Sequence, residues 1–129
     1  MKNRRSLQEI LDYASDRVCF ELNDVFTRDG IGETPLNVIA TSGIVEDAET
    51  LLNAGSDINN IGDCNYTPQC EAVLMDHLEM VIFLLKNGAD PQIKTDEGTA
   101  LDIARIGKNQ AIIDVLEQYN NGISTPPNE

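Results

Sequence analysis

The 129-residue chain carries 22 acidic and 9 basic side chains, for a formal net charge of −13, a field that repels phosphate backbones and anionic membranes and argues against nucleic-acid and lipid-surface functions. Hydrophobic residues make up 41% and aromatics 5%, with no Trp, so any core is built from Leu, Ile, Val and Ala, which favours packed helices over a β-sandwich. A chain of this length suits one domain and buries roughly two-thirds of the surface that its unfolded form exposes.

In chain order, residues 6–20 place Leu7, Ile10, Leu11, Ala14 and Val18 on one helical stripe. Thr34-Pro35 then reads as a helix N-cap followed by proline at the first helical position, where its missing N–H costs nothing. A second helix is expected with Val45, Ala48, Leu51 and Leu52 on its apolar face, and Gly55 where the chain leaves it in a left-handed conformation. The same signals recur as Thr67-Pro68, then Leu78, Val81, Ile82, Leu84 and Leu85, then Gly88. A third segment opens at Thr99-Ala100-Leu101-Asp102-Ile103-Ala104, and the tail "GISTPPNE" (122–129) reads as flexible. The longest apolar run, "MVIFLL" (80–85), is far shorter than the ~20 residues of a membrane span, and no signal-peptide stretch opens the chain. A soluble cytoplasmic protein is expected. Cys19, Cys64 and Cys70 are odd in number without an export signal, which favours free thiols over a disulfide framework.

Sliding the chain against itself shows a repeat. "LLNAGSD" (51–57) matches "LLKNGAD" (84–90) at an offset of 33, Thr34-Pro35 and Thr67-Pro68 share that offset, and Thr99 follows Thr67 by 32. A fixed period in this range marks a solenoid. With "DGIGETPLNVIATSGIVEDAETLLNAGSDIN" (29–59), "GDCNYTPQCEAVLMDHLEMVIFLLKNGADPQ" (62–92) and "TDEGTALDIARIGKNQAIIDVLEQYNN" (95–121) aligned, the chain resembles an ankyrin-repeat protein over about residues 18–120. The resemblance implies an all-α solenoid of stacked helix pairs with β-turn hairpins. Its expected divisions are an N-terminal cap (6–28), repeats at 29–61 and 62–94, a third repeat or C-terminal cap at 95–121, and the tail at 122–129, the first four making one domain over 1–121. The N-terminal segment departs from the pattern with Leu22 where Gly55 and Gly88 stand.

Chemistry-bearing constellations are weak. Cys64, Cys70 and His77 form C-x5-C-x6-H, unlike the tight cysteine pairs of structural zinc sites, and the register scatters them over a hairpin tip, the His slot of T-P-L-H and the start of a second helix. The one histidine sits in a structural slot, so no nucleophile has a base beside it. Glu46/Asp47 and Asp96/Glu97 are sequence neighbours that point apart on a helix, and "GIG" (30–32) lacks the remainder of a phosphate loop. Neither catalysis, a cofactor nor a metal is expected.

Surface recognition remains. The resemblance implies a concave face made of hairpin tips and first helices, with Arg28, Gly30, Ile31, Glu33, Thr41 and Ser42 free of structural duty in the first unit. The second unit contributes Ile61, Asp63, Cys64, Tyr66, Leu74 and Met75, and the third Lys94, Asp96, Glu97 and Ile106. Of these, Ile31, Ile61, Tyr66, Leu74 and Met75 form an apolar patch, rimmed by Asp29, Glu33, Asp63, Asp96 and Glu97. That is the anatomy of a protein-binding surface; the plainer alternative is that Tyr66 packs on the neighbouring hairpin and that Leu74 and Met75 extend the core. Between Asp29 and Leu85 there are ten acids and no Lys or Arg, so the expected partner is basic. The expected function is protein binding by a monomer. The specific expectation is a stoichiometric inhibitor of a basic toxin such as a nuclease, since short ankyrin proteins act as immunity proteins in bacterial toxin systems; an adaptor or regulatory subunit is the alternative. A passive domain of a multidomain enzyme is disfavoured by the initial Met, the apparent caps and the polar tail.

Overall fold

The computed structural model describes residues 4–18 and 21–120; Cys19 and the tail expected over 122–129 lie outside them. Among the described residues there are seven α-helices and no strand. They are α1 (Leu7–Val18), α2 (Pro35–Ser42), α3 (Val45–Asn53), α4 (Pro68–Leu74), α5 (Leu78–Lys86), α6 (Ala100–Gly107) and α7 (Gln110–Asn120). A one-turn 3-10 helix spans Asp63–Asn65. The architecture is the expected all-α solenoid. α2, α4 and α6 stack side by side as one layer, α3, α5 and α7 as the other, and α1 packs against α2 and α3.

Local chemistry sets each helix boundary. Thr67 Oγ1 accepts the Cys70 N–H at 3.2 Å, and Thr99 Oγ1 accepts that of Asp102 at 3.3 Å while the Thr99 N–H donates back to Asp102 Oδ2 at 3.0 Å, closing a capping box. At α2 the helix start is reinforced differently: the Thr34 N–H and hydroxyl both donate to Asn37 Oδ1. The second helices of the first two pairs, α3 and α5, end alike. Gly55 (φ 105°) and Gly88 (φ 96°) are left-handed, and the N–H groups of Ser56 and Ala89 reach back to the carbonyls of Leu51 and Leu84, both at 3.0 Å, which satisfies carbonyls that the helix would otherwise leave orphaned. The departure at Leu22 has its own solution. Its N–H donates to Ser15 Oγ at 2.9 Å, and its side chain packs with Ala14, Val18 and Val38 in a small satellite cluster.

The main core runs through all three pairs, with Ile10, Leu36, Ile39, Leu51, Met80, Leu84, Ile112 and Leu116 fully buried. Leu7, expected on the buried stripe of α1, lies at the surface, whereas Ile10, Leu11 and Ala14 face inward. The segment before α1 is tied down by ions: Arg5 pairs with the buried Asp47 of α3 and stacks over the Tyr13 ring at 4.3 Å.

Candidate protein-binding groove

Turns at 29–33, 62–66 and 95–98 lead into α2, α4 and α6, and they are laced together. Arg28 donates to Asn60 Oδ1 (3.0 Å) and the Ile61 carbonyl (2.9 Å), and Asn60 Nδ2 donates to Asn37 Oδ1 (2.7 Å) and the Gly32 carbonyl (3.0 Å). The second and third turns are joined by the Asp96 N–H to the Cys64 carbonyl (3.0 Å) and by Asn65 Nδ2 to Asp96 Oδ1 (2.8 Å). To present that carbonyl, Cys64 (φ 55°) and Asn65 (φ 62°) enter the left-handed region, which is uncommon for residues other than glycine. Arg28, expected to be free of structural duty, is part of this lacing.

The lacing holds open a groove with two adjoining hollows. One, of about 420 Å³, is lined by Glu33, Thr41, Asp63, Cys64, Tyr66, Glu71, Leu74 and Glu97. The other, of about 190 Å³, lies between α4 and α6 and is lined by Tyr66, Val73, Leu74, Asp76, Glu97, Ile103, Ile106 and Gly107. Tyr66, Leu74 and Glu97 belong to both. No Lys or Arg is among the lining residues.

Five of the ten residues expected from sequence therefore meet in one place: Glu33, Asp63, Tyr66, Leu74 and Glu97. The other five do not line it. Asp29 closes its own turn, its Oδ1 accepting the N–H groups of Ile31 and Glu33 at 2.9 Å each. Asp96 is held by Asn65, while Ile31, Ile61 and Met75 are exposed outside the hollows. Two of the five that do meet are floor and not rim. Glu33 and Tyr66 are buried, and the Tyr66 hydroxyl donates to the Glu97 carboxylate of the next turn, the packing role weighed above for the tyrosine. Burial and this partner push the Tyr66 phenol well above its usual range.

Reasoning from sequence missed Glu71, although the register carried the signal. At the repeat offset, Glu71 stands where the preceding pair has Val38 and the following pair has Ile103, both buried. An acid at a core position is the anomaly that marks the groove floor. Burial raises the Glu71 carboxyl to about 9, and burial likewise raises Glu33, to which it is hydrogen-bonded. Asp63 and its neighbouring acids hold the exposed Cys64 thiol above its ordinary range, so it is a poor nucleophile. Ile106, noted only as a variable position, shares its register with Thr41 and Leu74, and the three form a column along the groove. Phe26, 66% exposed, was also missed; it lies away from this face, over Gly55. Cys70 is buried in α4, and the His77 Nε2 lies 2.9 Å from the Thr41 carbonyl.

The model of ankyrin repeats (3 copies) matches residues 3–95. The chain belongs to the ankyrin-repeat family. Its similarity to named proteins is partial. It is 37% identical over 62 residues (48% of the chain) to an ankyrin and IPT/TIG repeat-containing protein of Schizosaccharomyces pombe, 35% over 82 residues (63%) to the human BCL-6 corepressor-like protein 1, and 33% over 99 residues (74%) to the ankyrin repeat protein nuc-2 of Neurospora crassa. It spans 5%, 5% and 9% of those proteins' own lengths. As an ankyrin-repeat chain it is a protein–protein interaction module, and among the described residues no helix is long and apolar enough to cross a membrane.

Proposed function

We propose that this chain binds a partner protein that presents Lys or Arg around an apolar side chain, and that the groove between the second and third turns is the docking surface. The observation that carries the reading is the composition of that groove: Glu33, Asp63, Glu71 and Glu97 surround Tyr66 and Leu74, with no base in the lining. Charge complementarity speeds encounter and fixes register, while the apolar centre slows release. On this reading the groove is a recognition surface rather than a catalytic site. The finer proposal is stoichiometric inhibition of a basic toxin such as a nuclease, whose phosphate-holding surface an acidic groove would occupy. A second reading, an adaptor or regulatory segment, is favoured by the relatives, each of which is many times longer than the region of similarity.

The test is capture of the partner followed by titration of the purified pair against salt. Expected is a one-to-one complex that weakens and associates more slowly as salt rises, that loses affinity tenfold or more with Asp63→Lys, and that weakens similarly with Leu74→Ser or Ile106→Ser. Leu74 and Ile106 are 52% and 70% exposed, so those two changes should move stability by no more than ~1 kcal/mol. Binding indifferent to salt and to all three substitutions would place the docking surface elsewhere.

A further inference from the structure

Glu33 and Glu71 come from different helix pairs, one from the turn entering α2 and the other from the middle of α4, yet both line the larger hollow with only 8% and 9% of their surfaces exposed, their carboxyls within hydrogen-bonding reach of each other. Ionised carboxylates only accept hydrogen bonds, so a carboxyl–carboxyl bond requires a proton between them. Glu33 Oε2 also accepts the Asp63 N–H at 3.3 Å, which makes Glu33 the acceptor and Glu71 the proton carrier. Among the described residues no base neutralises the pair. The first turn offers Asp29, the second Asp63, Cys64 and Tyr66, the third Glu97, and α4 itself Cys70. Arg28 is committed to Asn60 and the Ile61 carbonyl, and α2 contributes only the Thr41 hydroxyl, which donates to the Val38 carbonyl.

We propose that Glu33 and Glu71 form a proton-sharing joint between the first two helix pairs, and that loss of this proton in alkaline solution loosens the joint and adds one negative charge to the groove floor. In that step the Glu71 O–H bond breaks, the proton passes to water, and two carboxylates are left facing each other with no proton between them. The direction in pH follows from burial, which raises both groups and brings Glu71 to about 9. In the unfolded chain a Glu titrates near the ordinary ~4.3. The folded state thus holds a proton that the unfolded state has already lost, so the joint's contribution is complete below the unfolded value and disappears as pH rises toward the folded one.

The inference concerns the free protein and survives whatever the groove is found to bind. Its test is a ¹³C titration of the Glu side-chain carboxyl carbons of the full chain from pH 4 to 10, with urea midpoints at pH 6 and pH 9, for the wild type, Glu71→Gln and Glu33→Gln. Glutamine at 71 keeps a donor toward Glu33 but cannot ionise. Expected is a Glu71 resonance with its midpoint above pH 7, and a fall in the wild-type urea midpoint between pH 6 and pH 9 that shrinks by at least half in Glu71→Gln. Titration of both carboxyls below pH 5.5, which the wild type alone can reveal should a variant not fold, would overturn the joint. So would an undiminished fall in a folded Glu71→Gln.

Discussion

Gln69 stands at the register position of Leu36, and replacing it with leucine tests whether the repeat pattern reads as energy. The side chain is 1% exposed, and neither Oε1 nor Nε2 meets a hydrogen-bond partner among the described residues. An unpaired buried polar group costs ~1–3 kcal/mol relative to an apolar group of the same shape, and glutamine carries a donor and an acceptor. Leucine is close in volume, so repacking should return no more than ~1.5 kcal/mol of strain. The balance is a stabilisation of about 2–3 kcal/mol. With a urea slope of ~1–3 kcal/mol per molar for a domain of this size, the midpoint should rise by roughly 0.7–3 M. The assay is equilibrium urea unfolding followed by far-UV circular dichroism, with the slope checked for constancy. An unchanged or lower midpoint at constant slope would refute the reasoning, because it would mean that the amide is well bonded in solution.

Arg5→Ala should cost about 2–4 kcal/mol in the same assay, because Asp47, with a side chain 3% exposed, loses its guanidinium partner; Arg4→Ala, which breaks the exposed pair with Glu49, should cost less than ~1 kcal/mol. Tyr66→Phe removes the hydroxyl that donates to Glu97 and should lower stability by ~1–2 kcal/mol by thermal or urea unfolding. Gly43→Ala places a methyl 2.7 Å from the His77 ring at a left-handed position (φ 76°), so a loss of ~1–2 kcal/mol should accompany a shifted His77 ring resonance in NMR spectra. Glu71→Val, which restores the apolar register residue, should raise the urea midpoint, and by more at pH 9 than at pH 6, because the wild-type carboxyl is forced to ionise in a buried place as pH rises.

The solenoid was legible because its signals are local and repeated. Thr-Pro caps, helical stripes and Gly55 and Gly88 each act within a few residues, and the 33-residue offset aligned them. The aspartates that follow make the point at finer grain: Asp24, Asp57 and Asp90, each one offset apart, accept the N–H of Phe26, Asn59 and Gln92 in turn. The site was half legible. Register placed Leu74 and Asp63 on the concave face, but whether a side chain stands on a rim or sinks to a floor depends on its partner one repeat away. Glu33 meets Glu71 across 38 positions, and Tyr66 meets Glu97 across 31, and a periodic pattern can flag an odd residue such as Glu71 without saying which residue one repeat away it meets. Arg28 shows the converse: a long polar side chain at a variable position was drawn into lacing by an asparagine on the next turn.

Both breaches of the repeat on α4, Gln69 and Glu71, put a polar side chain where neighbouring pairs have an apolar one, but they stand in different relations to the groove. Gln69 does not line it, and Glu71 forms part of its floor. Leucine at 69 should therefore stabilise the fold and leave the groove untouched, whereas valine at 71 should stabilise it while removing a carboxyl from the proposed docking surface. A scaffold under selection for stability alone would have little reason to keep either. If the two substitutions separate in this way, the acid at 71 is retained for what the groove does, and its stability cost is the signature by which a binding floor differs from a merely imperfect core.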